Sequence, residues 1–180
     1  MQSKKPIIKK QAIISSSRLF SIEQLDLEFS NGEQRQYERL LRQGVGAVLI
    51  IPMLDDETVL LIREYCGGTD RYELGLPKGK MDEGEDILQA ANRELKEEVG
   101  YQAEQLDLLK TMTIAPQYME HTIHIVLAQQ LTPKKEEGDE PEPLEVVPYP
   151  LADLEKLIAD DAMTEARTIA ALYMARERLK

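Results

Sequence analysis

The chain of 180 residues has a single cysteine, fewer basic than acidic residues (22 against 33) and no long apolar run. Its single cysteine, Cys66, excludes a disulfide framework and favours a reducing compartment, so we expect a cytoplasmic protein. The net charge of −11 argues against binding to a nucleic-acid backbone, which requires a basic patch. The lysines of residues 4–10 precede only the short apolar run 12–14, so we expect neither a signal peptide nor a membrane span.

The most informative segment is 79–101, GKMDEGEDILQAANRELKEEVGY. Its apolar residues recur every four positions and predict a helix over 86–99, with one apolar face made of Ile87, Ala91, Leu95 and Val99. Gly100 follows directly, at the position where a glycine commonly ends a helix. The segment therefore predicts one amphipathic helix with a defined end.

Acidic side chains are concentrated at the end of this helix. Glu94 and Glu98 are four residues apart, so their carboxylates share one face, which we expect to be exposed, and Glu97 lies at its edge. Like charges at this spacing repel by roughly 0.2–0.5 kcal/mol per pair, whereas a hard divalent cation such as Mg²⁺ binds several carboxylate oxygens. Arg93 follows Glu85 by eight residues and precedes Glu97 by four, so it can hold a carboxylate in place. We interpret the pattern as a metal site.

The whole segment resembles the Nudix box, GX5EX7REUXEEXGU, where U is a bulky apolar residue. Every position matches except the last, where Tyr101 replaces an aliphatic residue. For ELKEE alone, a solvated acidic helix face would explain the residues, but a chance match to the whole pattern is on the order of 10⁻⁸ per starting position. The resemblance implies an α/β/α sandwich with a mixed sheet and Mg²⁺-dependent hydrolysis of a nucleoside diphosphate linked to another moiety. Mn²⁺ is the alternative metal.

The chain before the box divides near residue 43. Alternating apolar residues predict a strand around 25–29, Asn31-Gly32 predicts a two-residue hairpin turn, and residues 1–15 predict a loose arm or short strand. We therefore expect an N-terminal β-hairpin extension over 1–43 and a hydrolase domain over 44–180. An isolated hairpin is only marginally stable, so a second subunit is its expected packing partner.

Within the family, the resemblance is greatest to the ADP-sugar pyrophosphatase branch and covers nearly the whole chain, in stretches such as SRLFSIEQLDLEFSNG, LLIREY and EGDEPEPL. Members of that branch are typically homodimers in which the N-terminal strands reach the partner's active site. By this resemblance Tyr37 and Glu38 hold the adenine, and Arg42 reaches a phosphate. The resemblance also assigns the backbone carbonyl of Lys78 to the metal, together with the carboxylates of Glu94 and Glu98.

The same branch places its catalytic base on a mobile acidic loop, which corresponds here to 136–143. Glu140 and Glu142 both fit this role, and Glu97 in the box is a third candidate. The implied reaction is hydrolysis of ADP-ribose, NADH or diadenosine oligophosphates to AMP and a phosphorylated partner. A hydrolase of longer dinucleoside polyphosphates is the first alternative, since LPKG at 76–79 also resembles the diadenosine tetraphosphate enzymes. A nucleotide-binding regulator without catalysis is the second.

Overall fold

The computed structural model describes residues 4–42 and 44–180. They form two compact units, Met1–Gly46 with Thr113–Thr122, and Ala47–Met112 with Ile123–Lys180. Residue 43, near which the sequence places the domain boundary, lies outside the described residues. The sequence gives no sign that a segment after the box belongs to the N-terminal unit.

The first unit is a three-stranded antiparallel sheet of β1 (Ile7–Ser16), β2 (Ser21–Glu28) and β3 (Gln34–Leu40), in that order. Alternation along β2 buries Leu25 and Leu27, whereas β1, predicted as a loose arm or short strand, is a ten-residue strand exposed throughout. Met119 bridges to Leu40 of β3, which joins the later segment to this sheet.

The turn between β2 and β3 is one residue longer than predicted. The Phe29 amide donates to the Glu33 carbonyl at 2.9 Å, and this bond leaves three residues in the loop. Gly32 occupies the third loop position with φ of 84°, a left-handed conformation that glycine adopts without steric cost. Such a three-residue loop ending in a left-handed glycine is a common hairpin connection.

The second unit contains two sheets. Their strands are β4 Ala47–Pro52, β5 Thr58–Cys66, β6 Arg71–Gly75, β7 Lys78–Lys80, β8 Tyr101–Thr113, β9 Thr122–Pro133 and β10 Glu145–Pro150. One sheet has the order β10-β5-β6 and the other the order β7-β4-β9-β8. Strand β9 runs parallel to β4 and β7 antiparallel to it, so the larger sheet is mixed, as predicted.

Helices cover the central strand β4 from both sides. Val48 and Ile50 share a buried cluster with Ala91 and Leu95 of the box, while helix α3 (Ala166–Leu179) also packs against β4. All of β4 is buried, which requires cover on both faces because side chains alternate along a strand. The predicted α/β/α sandwich is therefore confirmed. Its helices are α1 Ile87–Glu94, α2 Leu154–Ala159 after a 3₁₀ turn, and α3 Ala166–Leu179.

The box helix departs from the regular helix predicted over 86–99. After α1, residues Leu95–Val99 form a π-helical turn, hereafter the π-turn, closed by the Gly100 amide donating to the Leu95 carbonyl at 3.1 Å. The last carbonyls of a helix have no partner within it. Here the carbonyl of Lys96 in the turn accepts from the Glu136 amide (3.3 Å), and that of Gly100, just after the turn, accepts from the Lys134 amide (2.9 Å). Tertiary contacts that the local sequence does not encode therefore accompany the irregular turn.

Within the part of the chain that the structure describes, no helix is both long and apolar enough to cross a lipid bilayer.

Candidate active site

Arg93 is the centre of the ion-pair network around the box. Its guanidinium makes two bonds to the Glu85 carboxylate, at 3.0 and 3.1 Å, and single bonds to Glu94 at 2.8 Å and Glu97 at 3.0 Å. Its Nη2 also donates to the Lys80 carbonyl at 2.8 Å. The hydrogen bonds that Arg93 donates to Glu85 lower the pKa of the Glu85 carboxyl and raise the pKa of the Arg93 guanidinium. Arg93 thus links the box helix to the turn that precedes it.

Glu94 and Glu98 are buried, and the expectation of an exposed carboxylate face is wrong. They retain only 7% and 4% of their accessible surface. Burial raises the pKa of Glu94 to about 6 and that of Glu98 to about 8, because the charged form loses its hydration. The helix faces the LPKG segment rather than solvent at this point, as the bond from the Lys78 amide to Glu98 Oε2 at 2.8 Å shows.

Gly79 is required by the position of Glu94. A methyl group placed on Gly79 would overlap the Glu94 carboxylate, so only glycine lets the two approach this closely. One residue earlier, the amide of Lys78 is bonded to Glu98 and its Nζ to Glu64 at 2.5 Å. The segment that carries the Lys78 carbonyl therefore lies directly against both buried glutamates.

These residues fit a hard divalent cation. Among residues 4–42 and 44–180, no group of three or more His, Cys, Asp or Glu side chains is arranged to hold a metal by side chains alone. The proposed set is different, because it combines the Glu94 and Glu98 carboxylates with the carbonyl of Lys78. Oxygen donors of this kind suit Mg²⁺, which keeps waters and substrate phosphates as its remaining ligands. A cation would also offset the cost of ionising two buried carboxylates.

The acidic loop is anchored on the π-turn. Lys96 Nζ bonds both oxygens of the Glu136 carboxylate at 2.8 Å, and Lys135 Nζ donates to the Glu97 carbonyl. These contacts join the backbone bonds made by residues 134 and 136 to the same turn. The start of the loop is therefore fixed to the helix that carries the carboxylates. The sequence analysis did not identify Lys96, Lys135 or Glu136, because no local pattern relates them.

The structure separates the two loop candidates for the base. Glu140 is close enough for its charge to add to the effect of burial on the pKa of Glu94. Its carboxylate also lies over Gly138, where a methyl group would overlap it. Glu142 instead accepts from the Tyr72 hydroxyl at 2.5 Å. Glu97, the third candidate, is bonded to Arg93.

The candidate nucleoside residues lie in the first compact unit. Tyr37 and Glu38 line a cavity of about 430 Å³ together with Leu25, Arg39 and the loop 116–120. Tyr37 is half exposed, and so is Tyr118 in that loop, a residue that the sequence analysis did not identify. Arg42 donates to the Val45 carbonyl at 3.4 Å. The cavity thus brings together two aromatic side chains and the carboxylates of Glu38 and Glu120.

Comparisons with known proteins agree with this geometry. The NUDIX domain matches residues 44–172, and the NudE-type Nudix hydrolase N-terminal domain matches residues 6–39. The chain is 50% identical to the ADP compounds hydrolase NudE of Escherichia coli over 98% of its length and 94% of that protein. It is 29% identical to the ADP-ribose pyrophosphatase of Bacillus subtilis, over 93% and 90% of the two chains.

A solved structure is equally similar. The crystal structure of an ADP compounds hydrolase superposes with a TM-score of 0.93 at 48% identity, covering 99% of this chain and 96% of the other. The chain therefore resembles bacterial ADP compounds hydrolases in particular, and the predicted resemblance to the Nudix family and the prediction of an enzyme are confirmed. From the domain matches and this full-length similarity, the chain belongs to the Nudix hydrolase family.

Proposed function

We propose that this protein hydrolyses the pyrophosphate bond of ADP-linked compounds, namely ADP-ribose, NADH and diadenosine oligophosphates, giving AMP and a phosphorylated partner. The observation that carries the proposal is the pair of buried carboxylates, Glu94 and Glu98, packed against the LPKG segment. The names of the relatives support the ADP-linked class of substrate. The expected metal is Mg²⁺, with Mn²⁺ as the alternative.

Each box residue has a proposed role. Glu94, Glu98 and the Lys78 carbonyl hold the metal, while Arg93 and Glu85 keep the carboxylates oriented through the bonds described above. When bound, a divalent cation in such a site neutralises charge on the phosphoryl oxygens and lowers the pKa of a bound water. The burial of Glu94 and Glu98 limits competition by bulk water for these positions.

A carboxylate of this chain takes the proton from the attacking water. Glu140 is the preferred base, since Glu142 is bonded to Tyr72 and Glu97 to Arg93, and Glu142 and Glu97 are the alternatives. As the water proton passes to the base, a bond forms from the water oxygen to one phosphorus. The bond from that phosphorus to the bridging oxygen breaks, and the bridging oxygen leaves with its electron pair on the other phosphate.

The first compact unit supplies nucleoside binding in this proposal. The ring of Tyr37 is open for stacking on adenine, and the Glu38 carboxylate can accept from an exocyclic amine. Arg42 is the proposed phosphate contact.

The expected homodimer is supported by β1, whose isoleucines at 7, 8, 13 and 14 are each about half exposed. We expect the protein to act in the cytoplasm. Light scattering tests the dimer, and a monomer at micromolar concentration would contradict it.

A substrate panel tests the reaction. ADP-ribose, NADH, diadenosine triphosphate and diadenosine tetraphosphate are incubated with Mg²⁺ in ¹⁸O-labelled water, and the products are identified by mass spectrometry. The proposal expects AMP from the first three and one labelled phosphate oxygen per turnover. Preferential cleavage of the tetraphosphate would favour the alternative hydrolase of longer dinucleoside polyphosphates. No hydrolysis of any substrate with Mg²⁺ or Mn²⁺ would overturn both.

A further inference from the structure

The segment Leu76–Gly79 is held by three different parts of the second unit. The Leu76 amide donates to Thr168 Oγ1 at 3.0 Å, and the Pro77 carbonyl accepts from the Ile50 amide at 2.9 Å. The next bond is the one from the Lys78 amide to Glu98. Helix α3, strand β4 and the π-turn therefore each fix one consecutive residue of this segment. Of the three, the contact from α3 is made by a side chain far from the box in sequence.

Thr168 is a polar residue in an apolar setting. It is fully buried, and α3 otherwise buries the apolar residues Ala171, Leu172 and Ala175. A valine would have nearly the same shape there, so packing alone does not require the hydroxyl. The hydroxyl donates to Glu165 Oε2 at 2.9 Å while it accepts from Leu76, and both of its hydrogen-bonding functions are therefore used.

Glu165 fixes the orientation of that hydroxyl. Glu165 directly precedes α3 and caps it. Its carboxylate accepts from the Thr168 amide at 2.8 Å and from the Arg167 amide at 3.2 Å. It also pairs with Arg167 Nε at 2.6 Å. The carboxylate is thus held by three donors besides the Thr168 hydroxyl. A chain of bonds runs from Glu165 through Thr168 to the Leu76 amide.

Pro77 connects this chain of bonds to the proposed metal ligand. The proline ring restricts the φ angle of Pro77. The orientation of the peptide group at Leu76 therefore largely fixes the orientation of the peptide group at Lys78. A methyl group added to Gly75, on the other side of Leu76, would lie 3.3 Å from Thr168 Oγ1. The end of β6 therefore also lies close to this hydroxyl. Loss of the bond would leave a buried amide without its partner and let the segment shift.

We propose that Thr168 and Glu165 are positioning residues, which hold the LPKG segment so that the Lys78 carbonyl is aimed at the metal site. This inference rests on the proposed function, because it concerns the same metal. Residues that orient metal ligands typically change metal affinity or activity by about 10- to 100-fold when they are replaced. Helix α3 then supports the metal site even though it supplies none of the proposed ligands.

The experiment measures Mn²⁺ binding to the full-length protein by electron paramagnetic resonance, without substrate. Thr168→Val keeps the shape and removes the hydroxyl, and we expect it to weaken Mn²⁺ binding about 10-fold. Thr168→Ser restores the hydroxyl and should recover affinity. Thr164→Val is the matched control, because Thr164 bonds Arg71 and Glu73 rather than the LPKG segment. The Mg²⁺ concentration for half-maximal rate should shift in parallel with Mn²⁺ affinity, while KM at saturating Mg²⁺ stays unchanged.

The outcomes distinguish this inference from the proposed function. If the wild type binds no Mn²⁺, the proposed metal site itself fails. If the wild type binds and folded Thr168→Val binds equally well, the positioning role is overturned. Should Thr168→Val fail to fold by circular dichroism, Glu165→Gln carries the test. It keeps an acceptor for the helix cap but loses the charge, and we expect severalfold weaker binding. Unchanged Mn²⁺ affinity in folded Glu165→Gln would then overturn the inference.

Discussion

The two compact units differ in both charge and exposure. The first carries eight basic and six acidic residues, and its strand β1 is open to solvent along its whole length. The second carries 14 basic and 27 acidic residues, yet two of its glutamates, Glu94 and Glu98, are buried side by side with the LPKG segment. An acidic unit attracts divalent cations, whereas a mildly basic and exposed one suits contact with anionic nucleotides or another subunit.

We propose that the second unit carries the chemistry and the first the recognition of the nucleoside. Changes in the second should therefore lower kcat or metal affinity, while changes in the first should raise KM. Variants in each unit test this separation, and a variant that behaves in the opposite way would break it.

The largest effect is expected from Glu98→Gln. It removes a charged ligand but keeps an acceptor for the Lys78 amide, so thermal unfolding should be unchanged and kcat should fall by about 10³-fold or more. Steady-state kinetics at saturating Mg²⁺ measure this. Glu104→Gln, at an exposed position in β8, is the control. Retention of more than half the activity would contradict the metal assignment.

Glu140→Gln should have the next largest effect. Loss of a general base lowers the rate by 10²- to 10⁴-fold, and we expect about 10²-fold here with metal affinity and KM unchanged. Raising the pH should restore part of the rate, because hydroxide needs no base. Glu142→Gln should lower kcat less, since its carboxylate is bonded to Tyr72. If both variants and the double variant keep wild-type kcat, the base must be sought at Glu97.

Tyr37→Ala tests the first unit. Stacking of a base on an aromatic side chain contributes about 1–3 kcal/mol, so we expect KM for ADP-ribose to rise at least about 5-fold with little change in kcat. Tyr65→Ala is the matched control, because Tyr65 is equally exposed but lies in the second unit. If Tyr37→Ala instead lowered kcat without changing KM, the proposed separation of nucleoside recognition in the first unit from chemistry in the second would be wrong.

The smallest effect is expected from Lys96→Met, which removes the ion pair with Glu136 at the start of the acidic loop. Partly exposed pairs are worth up to about 1 kcal/mol, so kcat should fall only about threefold. Trypsin cleavage after Lys134 and Lys135 should become faster as the loop start loosens, and mass spectrometry of the fragments measures it. Lys110→Met, on an exposed part of β8, provides the comparison. Unchanged cleavage would mean that the backbone bonds alone fix the loop.

The box could be predicted from the sequence because its information is local. The spacing of Ile87 to Val99 and the position of Gly100 follow from helix geometry, and Gly100 does end the helix in a left-handed conformation. Burial of Glu98 could not be predicted, since it depends on the distant LPKG segment. The packing of residues 113–122 on the N-terminal sheet could not be predicted either. Nor could the role of Thr168, because its bond to Leu76 joins residues 92 positions apart in the sequence.

The π-turn limits which insertions and deletions the box helix can accept. The Leu95 carbonyl accepts from the amide five residues later rather than four. The helix therefore contains one residue more than a regular α-helix of the same length along its axis. Deleting a residue between 95 and 99 would either regularise the ladder or keep the wide turn and rotate the following chain by about 100°. Either change would move the Lys96 carbonyl away from the Glu136 amide, and the acidic loop would lose part of its attachment. Helix and loop are therefore matched in length, so that neither can change by one residue alone.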